Sequence, residues 1–223
     1  MSIRAVLFDL DNTLTHRGRS VATFSQDLAD TYQSQLNCVD VEQIESIVNR
    51  IDNGGYPLKE YLTHPSIGAS VAYALLQELN WQVAPHLEEL SNFWFAQFGS
   101  SAVAMPEAEQ TLTRLMQAGY KLAIISNGGH ATRLSILNGL GFQHYFDVIN
   151  SSGLFGQAKP QADIFIDTAQ QLAVDVEQCL FIGDHPINDG MQALWLSGFH
   201  VPSVQMSAPS ITALSEIFDY LER

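Results

Sequence analysis

The chain has 223 residues, 46% of them hydrophobic, enough for one ordinary core and a smaller second one. Its 24 acidic residues against 10 basic ones give a formal net charge of −14, which repels nucleic acid backbones and anionic lipid surfaces and argues against both as partners. Any anionic ligand must then be drawn in locally, by a bound metal, a lysine or a helix N-terminus.

Only Cys38 and Cys179 occur, far apart, which argues against a disulfide framework and for a reducing compartment, with Cys179 read as a buried strand residue. No basic leader or apolar stretch of membrane-spanning length is seen, so a soluble, cytoplasmic protein is expected.

In chain order, Ile3 to Phe8 is apolar after Arg4 and ends in carboxylates, which predicts a short strand buried on both faces of a parallel sheet. Residues 17–100 then show helical periodicity only: Val21, Phe24, Leu28 and Tyr32 share one face, as do Leu87, Leu90 and Trp94. That stretch reads as an all-helical insert, with hinges at Gly18 and at Gly99, Ser100 and Ser101. The aromatic cluster Phe93, Trp94, Phe95 and Phe98 reads as helix packing in preference to a binding wall. A helix is expected from Pro106, as its first residue, to Gly119. Strand-like runs recur at Leu122 to Ile125 and Cys179 to Ile182, with helices over Ala131 to Asn138, Gln161 to Leu172, Asp189 to Leu196 and Ser210 to Leu221. The alternation predicts an open, mostly parallel α/β core, residues 1–16 and 101–223, interrupted by the helical domain 17–100.

The chemistry-bearing residues sit at the predicted strand ends. Asp9-Leu10-Asp11-Asn12-Thr13 places two carboxylates two residues apart, and such like charges at a buried sheet end need a neutralising partner, best a metal. A helix cap or solvated turn is the plainer alternative, and Asn12 suits a turn in either case. The second run ends at Ser126-Asn127-Gly128 and the third at Gly183-Asp184, with Asp189 five residues on; Lys159-Pro160 lies between. Carboxyl strand ends of an open α/β sheet converge on one crevice. Taken singly, Ser126 is equally a helix cap, Lys159 a surface lysine and Asp189 a first-turn acid.

The order Asp-x-Asp-x-Thr, strand-end Ser, Lys-Pro, then Gly-Asp-x-x-x-Asn-Asp resembles the haloacid dehalogenase superfamily over the whole chain, and the insert is similar to the helical cap of one large subgroup. The resemblance implies a Rossmann-like core and a magnesium-dependent phosphatase acting on a small phosphorylated metabolite. It implies Asp9 as the nucleophile that becomes aspartyl phosphate, with Asp11 as the acid and base that also ligates magnesium through its backbone carbonyl. Ser126 and the Asn127 N–H would hold phosphoryl oxygens, and Gly128 would line the same loop. Lys159 would offset charge, while Asp184 and Asp189 would complete the magnesium sphere, Asp189 directly or through water. Thr13 is grouped with the substrate-binding positions, its hydroxyl supporting the turn after the nucleophile. His16, His130 and His185 are read as supporting or surface groups.

Several neighbouring readings compete. Dehalogenase and phosphonate-cleaving branches lack an aspartate at the position of Asp11, whereas a phosphomutase on a sugar phosphate would share the whole set. A signalling receiver domain also takes phosphate on an aspartate, but carries no long helical insert. A non-catalytic binding domain would leave the filled chemical positions without a purpose. Within the insert, Asn53-Gly54-Gly55-Tyr56-Pro57-Leu58-Lys59 is the expected loop reaching a substrate, through Tyr56 and Lys59, with a surface turn as the alternative.

Overall fold

The computed structural model describes residues 2–185, 188–189, 193–196 and 210–221, for 193–196 the backbone alone. The chain divides into two compact units, Met1–Thr15 with Ala104–Arg223, and His16–Val103. The first is built on a six-stranded parallel sheet in the order β3-β2-β1-β4-β5-β6, formed by β1 (Ala5–Phe8), β2 (Lys121–Ser126), β3 (Val148–Ser151), β4 (Cys179–Gly183), β5 (Ala193–Leu196) and β6 (Ser210–Ile211).

Every side chain of β1 is buried, as a central strand covered on both faces requires. Its register explains where the site forms. Phe8 lies level with Ile124 of β2 and Ile182 of β4, so Asp9, Ser126 and Asp184 emerge one or two residues later along the same sheet edge. The chain runs outward from β1 through β2 to β3, then returns to the other side of β1 at β4; this reversal makes the crevice beside β1 the switch point of the sheet. One sheet face, Ala5, Leu7, Ala123, Ile125 and Phe181, packs with Ile164, Ala169 and Leu172 around the helix at Ala162–Gln171.

The second unit holds α1 (Arg17–Tyr32), α2 (Val41–Asp52), α3 (Ile67–Glu78) and α4 (Leu87–Gln97). The face read from the sequence is the buried one in α1: Val21, Phe24, Leu28 and Tyr32 are all buried. Phe24 packs against Phe93, Trp94 and Phe98 with ring centroids 5.6, 4.9 and 5.7 Å away, so the aromatic cluster is helical core, except Phe95, which is exposed. Arg17 and Asp52 form a fully buried pair, Nε to Oδ2 at 3.0 Å and NH2 to Oδ1 at 2.6 Å. The same Asp52 Oδ2 accepts the Gly55 N–H at 3.1 Å, and Asn53, Gly54 and Gly55 all take positive φ, a path that two glycines and an asparagine tolerate.

The remaining helices belong to the sheet unit: α5 (Ala108–Gln117), α6 (His130–Gly139), α7 (Ser152–Phe155), α8 (Ala162–Gln171) and α9 (Ile217–Leu221). Four expectations need correction. Pro106 does not open α5; Glu107 precedes the helix at φ 64°, and the helical turns begin at Ala108. The helix expected over Asp189 to Leu196 is a strand at 193–196, paired in parallel with Phe181, Ile182 and Gly183, while 190–192 lie outside the described residues. A four-residue apolar run carries no period of its own, and here the open edge of β4 decides its form. Ser210 to Leu221 starts as the strand β6; Glu216 then accepts hydrogen bonds from the Thr212 N–H and hydroxyl, and a short 3-10 turn at Leu214–Glu216 leads into α9. Cys179 is half-buried at the start of β4, where burial, helped by Glu177, pushes its thiol up to about 11. No helix among the described residues is long and apolar enough to cross a membrane.

Candidate active site

Beyond β1 the chain turns back at once. The Leu10 carbonyl accepts from the N–H groups of Leu14 and Thr15 at 3.0 and 2.9 Å, and Asn12 takes φ 56°, the left-handed conformation its residue type allows. The hydroxyl that braces this turn belongs to Thr15, which donates to the same carbonyl at 3.1 Å. Thr13, expected to do so, is buried with its hydroxyl unpartnered. The correction follows from geometry, since in this turn residue 15, not residue 13, comes back level with Leu10.

Asp9 is buried at the edge of the sheet, with its N–H donating to the Ile182 carbonyl at 2.8 Å. One carboxylate oxygen each of Asp9, Asp184 and Asp189 lie within 4.8 Å of one another, all three residues buried. Lys159, also buried, reaches Asp9 Oδ1 at 2.9 Å and Asp189 Oδ1 at 2.5 Å. Asp189 is further fixed by the His185 N–H, which donates to Oδ2 at 2.9 Å, while the His185 ring accepts the Asn188 N–H at 3.1 Å. Such a donor set, all carboxylate oxygen, suits a hard divalent cation. Burial pushes the Asp9 carboxyl up to about 6; Lys159 pulls it back in part, and the negative charges of Asp189 and Asp11 raise it further. Burial by itself would lower Lys159, but Asp9 and Asp189 outweigh it and hold the ammonium above its ordinary value.

The loop after β2 is tied to the lysine. Asn127 exchanges two hydrogen bonds with the backbone of Lys159: its Nδ2 donates to the carbonyl at 3.1 Å, and the Lys159 N–H donates to its Oδ1 at 2.8 Å. Lys159 and Pro160 are joined by a cis peptide bond. Ser126 is buried at the end of β2, and the Gly128 N–H is already taken by Ser152 Oγ at 2.8 Å. His130 Nδ1 lies 3.2 Å from Ser151 Oγ, and His16 caps α1 by accepting the Arg19 N–H.

Asp11 stands apart from the carboxylate cluster. Its Oδ2 pairs with NH1 of Arg133 on α6, both side chains buried. Sequence reading missed Arg133, because the pair spans 122 positions and no local pattern marks it. The available signal was scarcity: it is one of only 10 basic residues in the chain. Tyr56 and Lys59 belong to the helical unit, Tyr56 half-buried after the Asn53–Gly55 turn and Lys59 exposed in the short turn Lys59–Tyr61.

A buried carboxylate cluster and lysine stand where an open parallel sheet reverses its strand order, the place where such sheets bind ligands. Residues 3–193 match the haloacid dehalogenase-like hydrolase family, to which the chain therefore belongs. Among its relatives, a phosphoglycolate phosphatase of Aquifex aeolicus is 35% identical over 79 residues, 35% of this chain and 37% of that protein. The chain thus spans little more than a third of that curated relative's length. The Escherichia coli 5-amino-6-(5-phospho-D-ribitylamino)uracil phosphatase YigB is 26% identical over 208 residues, 87% of this chain and 83% of that one. In fold the chain is similar to the HAD-hydrolase YfnB from Bacillus subtilis, whose structure was solved bound to magnesium (TM-score 0.70, 20% identity, 100% of both chains). It is also similar to the L-2-haloacid dehalogenase of Xanthobacter autotrophicus (TM-score 0.68, 20% identity, 99% of this chain and 98% of that one).

Proposed function

We propose that the protein is a magnesium-dependent phosphomonoester hydrolase that acts on a small phosphorylated metabolite through an aspartyl phosphate on Asp9. The observation that carries this reading is the buried cluster of Asp9, Asp184 and Asp189 around Lys159. Displacing halide from a singly charged haloacid gives no reason to gather three carboxylates for a cation, whereas a phosphoryl dianion does.

Asp9 attacks phosphorus, and the bond to the leaving oxygen breaks as Asp11 gives that oxygen its proton. Water then attacks the aspartyl phosphate, Asp11 takes a proton from it, and the bond to Asp9 breaks, releasing inorganic phosphate and restoring both carboxyls. Lys159 steadies Asp9 and the charge of the transferring group, and Ser126 with the Asn127 N–H holds phosphoryl oxygens. Asp9 and Asp184 and the Asp11 backbone carbonyl would hold magnesium, which when bound neutralises phosphoryl charge. Both oxygens of Asp189 already have partners in Lys159 and the His185 N–H, which favours its contribution through water. Gly128, with its N–H on Ser152, and Thr13, with a hydroxyl still to be satisfied, differ in what they offer; of the two, Thr13 is the better substrate-side donor.

The test sets aryl phosphate and a panel of phosphorylated metabolites against 2-haloacids, each with magnesium and with excess chelator. Phosphate release that requires magnesium, with no halide release, is expected. Halide release without metal, or phosphate release undiminished by chelator, would sink this function.

A further inference from the structure

We propose that Arg133 is an anion-binding residue of this site, whose guanidinium is contested between the Asp11 carboxylate and a phosphoryl oxygen of the substrate. The identity of the anion rests on the hydrolase reading above. The geometry is that of a buried, partly used cation: Arg133 is 7% exposed, NH1 donates to Asp11 Oδ2, and the buried Nε–H has no partner. Its guanidinium presses on the loop after β2, where a Cβ at Gly128 would lie only 2.9 Å from Arg133 Cζ. Glycine at that position, at φ 134°, is what lets the guanidinium reach the strand-end edge.

Two lines of chemistry point to an anion. A guanidinium presents five donors in a planar fork suited to tetrahedral oxyanions, and one carboxylate contact does not exhaust them. Leaving a buried Nε–H unsatisfied costs free energy that a phosphoryl oxygen would recover. Among the described residues of the sheet unit the other buried cation, Lys159, is committed to Asp9 and Asp189. Charge gives the second line. Asp9, Asp11, Asp184 and Asp189 face Lys159 and Arg133, a formal balance of two negative charges that one divalent cation cancels. Without Arg133 the metal-loaded site would keep a net negative charge and repel a dianion, and a chain of net charge −14 offers little remote attraction to offset that. If Arg133 served only to neutralise Asp11, neither its unused donor nor its packing on Gly128 would have a purpose.

The experiment titrates inorganic phosphate into magnesium-saturated protein by calorimetry, for wild type, Arg133→Gln, Arg133→Lys, Asp11→Asn and the Asp11→Asn/Arg133→Gln double variant, with magnesium affinity measured in each. Arg133→Gln should weaken phosphate binding by about tenfold or more, the scale of one lost charged hydrogen bond, with magnesium affinity nearly unchanged. Asp11→Asn removes the competitor and should tighten phosphate binding, and that gain should vanish in the double variant. Arg133→Lys should recover part of the loss. Unchanged phosphate affinity in Arg133→Gln, or a gain from Asp11→Asn that persists without Arg133, would overturn the assignment. Should Arg133→Gln not fold, unchanged affinity in both Asp11→Asn and Arg133→Lys overturns it equally. A wild type that binds phosphate through Arg133 but hydrolyses no phosphomonoester would defeat the hydrolase reading alone. Hydrolysis with KM unaltered in Arg133→Gln would defeat this inference alone.

Discussion

Arg17 with Asp52 in the helical unit and Asp9 with its neighbours in the sheet unit are both buried charge, yet they are resolved differently. Each oxygen of Asp52 meets a guanidinium nitrogen, and the pair sits among Phe98 and other apolar groups, with Arg17 over the Phe98 ring at 4.4 Å. Around Asp9 the carboxylates outnumber the cations, and burial, with the charges of Asp189 and Asp11 adding to it against the pull of Lys159, pushes Asp9 up to about 6. A buried pair that balances itself is architecture; a buried cluster left in deficit is poised for something from outside.

The largest effect that would sharpen this contrast is at Asp9. Asp9→Asn should cut turnover by about a thousandfold or more, because an amide cannot serve as the nucleophile. In metal-free protein at neutral pH the same change should not lower the thermal midpoint. The sign follows from linkage: a carboxyl raised from 3.8 to about 6 by folding favours the native state below the lower value and loses that favour as pH rises through the higher one. Its negative charge at neutral pH is therefore a burden, and a clear fall in midpoint would break the comparison.

Next in size, Asp52→Ala should behave in the opposite sense, costing about 3–5 kcal/mol of stability by leaving Arg17 buried and unpaired. Urea unfolding measures it, with magnesium binding as the control. A loss below about 1 kcal/mol would place this pair with ordinary surface bridges. The smallest effect concerns pH. Since protons compete with the metal for Asp9, magnesium affinity of the wild type should be steady above about 6 and fall by up to about tenfold per pH unit below it. Calorimetry in buffers of different ionisation enthalpy would read the proton release, and a flat profile from pH 7 to 5 would remove Asp9 from the metal sphere.

Much of the sheet was legible because β1, β2 and β4 are unbroken apolar runs that stop at polar strand ends, a pattern with few other solutions. By contrast, β3 reads Val-Ile-Asn-Ser, and its Asn150 looks like a loop residue until the side chain is seen donating to Asp167 and Thr168. For the candidate site, the local motifs put Asp9, Lys159, Asp184 and Asp189 on the page, and in the fold they converge. What no local motif contains is pairing across the chain. Thus Arg133 and the clasp of the Asn127 side chain on Lys159 went unseen, and the bracing hydroxyl was placed on Thr13 instead of Thr15.

The double use of Asp52 bears on how this protein can be recombined. Its carboxylate holds Arg17, 35 positions upstream, and also the Gly55 N–H, so the start of α1 and the turn after α2 are one inheritance unit. A chimaera joined anywhere between them would strand half of a buried pair, whereas junctions outside 17–55 carry both halves together. Sequence diversity in this unit then belongs at 56–63, where side chains are half-buried or exposed and the path of the preceding turn is already set.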